Sequence, residues 1–258
     1  MNKLILIALV ASMFMDVNAQ STEVSSGLYA WDKLMIKQGT QRVGRKLMEG
    51  SSPHFEFLEM HATTQEKGAK SAAPHAQKNL EEVIIVKEGT MKFTMDSESV
   101  VLGPGSAILI PPLAMQSLEN IGNGPLTYYV MMFRSKKGKE MDRSKNAGGP
   151  LLIDADLLKY ISNEKGGRIN YFNRPTAMCE NFEMHVTQLN TKGPSHAPHT
   201  HIDSEIILVI NGQVELSIDE MTYTGSDGDL FLIKSNEMHG IKNIGEGPCK
   251  YFAWRWRQ

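Results

Sequence analysis

Apolar residues fall along this chain in short runs between glycine, proline and polar turns, with no long helical period. "EEVIIVKEGTMKFTMD" (Glu81–Asp96) and "SEIILVINGQVELSID" (Ser204–Asp219) each read as two β-rich runs about a glycine. Asn211-Gly212 carries the pattern of a type I′ hairpin turn, which needs positive φ at both central positions. "GSAILIPP" and "GDLFLIKS" read as buried strands entered from a glycine. The C-terminal "YFAWRWRQ" alternates, with Phe252, Trp254 and Trp256 on one face and Tyr251, Arg255 and Arg257 on the other. "LLIDADLLKYIS", from Leu151, reads as a short helix. Many short strands with Gly/Pro turns, and no βαβ alternation, predict an all-β sandwich or small barrel.

The pattern occurs twice. "NIGNGP" at Asn120–Pro125 returns as "NIGEGP" at Asn243–Pro248, and the pairs Glu82/Glu205, Gly89/Gly212, Gly105/Gly228 and Gln116/His239 keep the same spacing. "LEMHATT" (Leu58–Thr64) likewise resembles "FEMHVTQ" (Phe182–Gln188). Recurrence at a fixed period marks a duplicated structural unit. The two copies occupy residues 42–135 and 166–258, giving domains of 20–140 and 166–258 around a polar, turn-rich linker of 141–165. His61 and His185, in the repeated "EMH", read as hydrogen-bonded structural histidines.

Composition narrows the class. The chain has 258 residues, 41% hydrophobic and 22% charged, with a net charge of −2 and no Lys/Arg block, so neither nucleic acid nor an acidic membrane is an expected partner. Residues 1–19, with Lys3, an apolar run and Val17-Asn18-Ala19, predict a signal peptide cleaved before Gln20 and hence a periplasmic or secreted protein. The apolar run is shorter than the ~20 residues of a membrane span. Cys179 and Cys249 are the only cysteines, open to one disulfide or to two buried thiols.

Candidate chemistry concentrates in "HAPHTHIDSEIILVINGQ" (His196–Gln213). On a strand, His199 and His201 point to one face, Glu205 follows at an even step, and His239 arrives from a later strand. Three imidazoles and a carboxylate suit one divalent transition metal ion: Mn, Fe, Ni, Cu or Zn. His196 lies outside this spacing and reads as a loop residue.

These residues resemble the cupin superfamily. Its first motif, G-x5-H-x-H-x3,4-E-x6-G, matches Gly193, His199, His201, Glu205 and Gly212, and its second, G-x5-P-x-G-x2-H-x3-N, matches Gly228, His239 and Asn243. Lys234 and Asn236 stand where the family usually has Pro and Gly. The resemblance implies two tandem cupin domains (a bicupin), each a small jelly-roll-like β-barrel or double-stranded β-helix, with a metal inside the second. In the first unit the matching residues are His75, Gln77, Glu82 and Gln116, so that half reads as scaffold and pairing partner. A weaker metal site or a metal-free polar pocket are its alternatives.

The expected function is a secreted, metal-dependent enzyme acting on a small oxygenated molecule, acidic or sugar-derived. Lyase, isomerase, hydrolase and dioxygenase chemistry all stay open. The candidate catalytic residues are Glu205, Arg255 as a carboxylate clamp (with Arg257) and Tyr251 as proton donor. The layout is similar to the ureidoglycine aminohydrolase bicupins, and the ligand set is shared with quercetinase-like dioxygenases and oxalate decarboxylases. A non-catalytic bicupin binding a sugar or small acid is the alternative class. A monomer or a homodimer fits either.

Overall fold

A computed structural model describes residues 22–258, so the expected signal peptide lies outside the described residues. The first half contains β1 (Gly27–Tyr29), β2 (Met35–Gly39), β3 (Arg42–Gly50), β4 (Phe55–Gln65), β5 (Glu81–Glu88), β6 (Met91–Met95), β7 (Glu98–Leu102), β8 (Ala107–Ile110), β9 (Gln116–Asn120) and β10 (Leu126–Ser135). After helix α1 (Met141–Asn146) come β11 (Leu151–Ile153), β12 (Tyr160–Asn163), β13 (Gly166–Arg174), β14 (Asn181–Leu189) and β15 (Gly193–Pro194). The chain ends with β16 (Ser204–Asn211), β17 (Val214–Ile218), β18 (Met221–Gly225), β19 (Leu230–Ile233), β20 (His239–Asn243) and β21 (Cys249–Arg257). Among the described residues no helix is long and apolar enough to cross a membrane.

Each half pairs a large antiparallel sheet with a small one. The large sheets run β11-β8-β5-β10-β4-β3-β2 and β1-β19-β16-β21-β14-β13-β12, and the small ones β7-β6-β9 and β15-β20-β17-β18. The jelly-roll expectation holds, as does the duplication.

The outer strands are exchanged between the halves. β1 precedes the first barrel but pairs with β19 of the second, and β11 precedes the second but pairs with β8 of the first. The "LLIDADLLKYIS" stretch is therefore β11, a 3-10 turn at Ala155–Leu157 and the start of β12, not a helix. Pairing with the open edge of β8 outweighs the local preference, as tertiary context routinely does.

The apolar runs lack polar alternation because the central strands are covered on both faces. Ile84, Val86, Ile108, Tyr128 and Val130 fill the first barrel. Ile207, Val209, Phe231, Tyr251 and Ala253 fill the second. Their neighbours Val83, Ile85, Tyr129, Met131, Ile206, Leu208, Phe252, Trp254 and Trp256 face the opposite way, into one cluster shared by both halves. Trp254 Nε1 contacts Met131 Sδ at 3.2 Å within it. The predicted faces of the last strand are thus confirmed.

Asn211-Gly212 is not a hairpin turn. β16 pairs with β19 and β21, β17 with β18 and β20, so this step carries the chain from the large sheet to the small one. Only Gly212 takes positive φ, +85°, and a Cβ there would lie 2.6 Å from the Pro248 carbonyl oxygen. In the small sheets the tight hairpins are β6–β7 and β17–β18, turned by Asp96 and Asp219 at φ +53° and +48°. Cys179 and Cys249 are both buried free thiols, in separate clusters.

Candidate metal centre

The four predicted ligands converge in the second barrel. His199 pairs through its backbone with His239 at the head of β20, with both N–H···O distances at 2.9 Å. His201 lies in the loop before β16 and Glu205 on β16 itself, so the ligands do not share one continuous strand. A turn at Ile202 and Asp203 restores the facing that the even spacing suggested. One ring nitrogen from each of His199, His201 and His239 lies within 4.8 Å of the others. Glu205 Oε2 sits 3.1 Å from His201 Nε2 and 3.4 Å from His239 Nε2.

Backbone carbonyls set the imidazoles. His201 Nδ1 donates to the Asp203 carbonyl and His239 Nδ1 to that of Glu237, each at 2.9 Å. This directs the basic Nε2 of both rings inward, the usual way of orienting metal-ligating histidines. His199 Nδ1 is buried without a hydrogen-bond partner. Burial, then the neighbouring imidazoles, lowers the His199 pKa, while the Glu205 hydrogen bond outweighs burial and raises that of His201. Burial alone would raise Glu205, but His201 and His239 hold it at about 2. Three clustered imidazoles, an ionised carboxylate and an orphaned ring nitrogen fit a divalent transition metal. Asn236, at the family's usual glycine position, takes φ +66° and donates its N–H to the His201 carbonyl at 2.8 Å. Asn tolerates this region best after Gly, so the turn survives the change.

The centre opens on a cavity of about 260 Å³. Arg255 lines it, held to Glu183 Oε2 by Nε at 3.0 Å and Nη2 at 2.7 Å. Arg168 bonds the other oxygen of Glu183, and His185 Nδ1 lies 3.3 Å from it. His185 close by and the hydrogen bonds from both arginines outweigh burial and hold the Glu183 carboxyl far below the usual range. Tyr251 lines the same cavity, its phenol raised by burial to about 12. A phenol so weakly acidic donates a hydrogen bond at neutral pH and keeps its proton. His196 stands on the wall, its ring 4.6 Å from that of His199. Arg257 does not line the cavity but pairs with Asp203 at 3.1 Å, bracing the loop that carries His201. His54 Nε2 contacts the Ile202 carbonyl of that loop at 3.0 Å.

Arg168, Glu183 and His185 are cavity residues that the spacing argument missed. The signal was present in the duplication: Arg168 and Arg255 correspond to Gly44 and Met132, so the two copies differ where this cavity is lined. The repeated "EMH" places Glu59 against His61, 2.9 Å apart, as Glu183 stands against His185.

In the first barrel His75 and Gln116 keep the backbone pairing of His199 and His239. Gln116 Nε2 bonds Glu82, and a coil ahead of β5 absorbs the odd Gln77-to-Glu82 step. Among the described residues, the only group of three or more His, Cys, Asp or Glu side chains placed to hold a metal is the one in the second barrel.

The cupin domain family matches residues 62–132 and again 185–255, and the chain belongs to this family as a tandem bicupin. Several solved structures share the fold. Protein Ylba from E. coli is 14% identical, with 89% of each chain covered and a TM-score of 0.68. An oxalate decarboxylase from Lactobacillus farciminis, in complex with formate, is 12% identical over 91% of this chain and 87% of that one, at a TM-score of 0.69. A 7S globulin from Momordica charantia is 13% identical, covering 90% and 84%, with a TM-score of 0.66. No curated protein sequence matches.

Proposed function

We propose that the chain is a metal-dependent enzyme acting on a small oxygenated acid in its second barrel, exported to the periplasm or beyond. One observation carries the reading: His199, His239 and Glu205 of the ligand set line a cavity of about 260 Å³ together with Arg255. When bound, the ion would supply Lewis-acid polarisation of a substrate oxygen. The chain's own groups do the rest. Arg255 and Arg168 offer the donors that Glu183 leaves free to an anionic group of the substrate. Tyr251 donates a hydrogen bond, and the apolar Ile207 and Ile241 limit water. Two guanidiniums, two carboxylates and a divalent ion leave the cavity net positive, which selects an acid.

Metal analysis of chelator-free protein should find one divalent ion per chain, and His199→Ala with His201→Ala should remove it. Turnover is then screened with short carboxylates, uronates and flavonoids. Arg255→Met, which copies the first barrel, should keep the ion and lose activity on carboxylates. If the double histidine variant binds the same ligand as the parent, the barrel is a non-catalytic binding site. The mass of protein exported from cells checks cleavage before Gln20.

A further inference from the structure

The first barrel encloses its own cavity, also about 260 Å³, and two buried acceptors on its wall, Glu82 and Gln65, are under-supplied with donors. Glu82 is 3% exposed on its wall. Its only side-chain hydrogen bond comes from Gln116 Nε2, and no Lys, Arg or His pairs with it among the described residues. In the second barrel the same position, Glu205, has two imidazoles against it. Further along the same wall Gln65 is fully buried, and its Oε1 has no partner. Its Nε2 is used on the Tyr128 hydroxyl at 3.2 Å. Buried acceptors left in this state are costly unless something supplies N–H or O–H.

None of the basic side chains on this wall pairs with Glu82 among the described residues. Arg42 bonds the Lys70 carbonyl and sits opposite Gln65 in the register, whereas Glu82 sits opposite Met132 six positions on along β10. His61 is engaged with Glu59, and His75 is exposed, its Nδ1 3.4 Å from the Ala73 carbonyl. Around Glu82 the wall is completed by Gln77, Met132, Val130 and Ile84, so the carboxylate has amide and thioether neighbours and apolar surface. Met132 holds the place of Arg255, so the clamp for an anion is gone.

We propose that the first barrel is a metal-free binding site for a small organic cation, a protonated amine on a short apolar body, with its ammonium group against Glu82. The ammonium supplies Glu82 with further donors and its counter-charge, and Met132, Val130 and Ile84 take the hydrocarbon. This site lies in the other barrel from the proposed metal centre and stands whether or not that centre is catalytic.

The test uses the full chain with methyl-labelled methionines, Met132 being assigned through Met132→Leu. n-Butylammonium is titrated in, with n-butanol as the neutral probe of similar shape. Butylammonium should shift the Met132 methyl resonance saturably and butanol should not. Glu82→Gln, close to isosteric, should weaken butylammonium at least tenfold while the metal content of the second barrel stays unchanged. The proposal is overturned if butylammonium leaves Met132 unmoved, if butanol binds as tightly, if Gln at 82 binds as well as Glu, or if the first barrel retains a metal ion of its own.

Discussion

At the scale of single residues, the two barrels run a controlled comparison. Both keep the backbone bridge beneath the second motif, 75–116 in one and 199–239 in the other, so the loss of imidazoles left the frame standing. The turn before that bridge differs more. Asn236 and Leu113 occupy equivalent positions at φ +66° and +72°, and both donate their N–H to the first-motif loop, Leu113 to Gln77 at 2.7 Å. A leucine in the left-handed region costs about 1–2 kcal/mol, and Leu113 is 58% exposed, so little packing offsets it. Leu113→Gly should raise stability by about 0.5–1 kcal/mol after glycine's extra chain entropy, read from urea midpoints. Asn236→Leu should lower it comparably. Of the candidate ligands, all four were legible, because their spacing survives any loop shape that returns the chain to the same wall. Arg168 and His185 were not: nothing local distinguishes a cavity arginine from a solvated one until a partner such as Glu183 is placed.

At the scale of elements, strands and their inward faces could be read from the chain, but pairing could not. The Asn211-Gly212 step shows why: a local turn signal says that the chain bends, not which strands flank the bend. Gly212 is required by the Pro248 carbonyl, a contact 36 positions away that no window of sequence contains. Gly212→Ala should destabilise by about 2 kcal/mol or more, through the close contact and the positive φ together, measured by thermal or urea unfolding. The helix expected from Leu151 failed for the same reason, since Leu151–Ile153 finds an open strand edge in the other half. Leu28 and Leu152 pack against the cores of the opposite barrels from these exchanged strands. Leu28→Asp should therefore weaken the second barrel, and bound metal should leave at lower temperature than in the parent.

At the scale of the whole molecule, the halves are joined by buried polar contacts as well as by the shared core. Glu81 on β5 accepts hydrogen bonds from the Thr176 hydroxyl at 2.7 Å and the Met178 and Ala177 N–H groups at 2.9 and 3.2 Å, in the loop before β14. Complete burial outweighs these donors and lifts the carboxyl to about 7 from an unfolded value near 4.5. The folded protein therefore keeps a proton that the unfolded chain releases. This contribution is full below about pH 4.5 and is lost as pH rises to about 7. With metal chelated throughout, the parent should lose about 2–3 kcal/mol more than Glu81→Gln between pH 5 and pH 8, by urea unfolding.

The traded outer strands bear on how such a molecule arose and diverged. Two identical single-barrel chains clasping each other by their leading arms would form a symmetric pair with equivalent cavities. Fusing them end to end makes the clasp intramolecular and frees each cavity from its twin, so one can shed its imidazoles while the other retains them. Cutting the fused chain between residues 136 and 140 should then yield fragments that stay associated through gel filtration, each still wearing the other's arm.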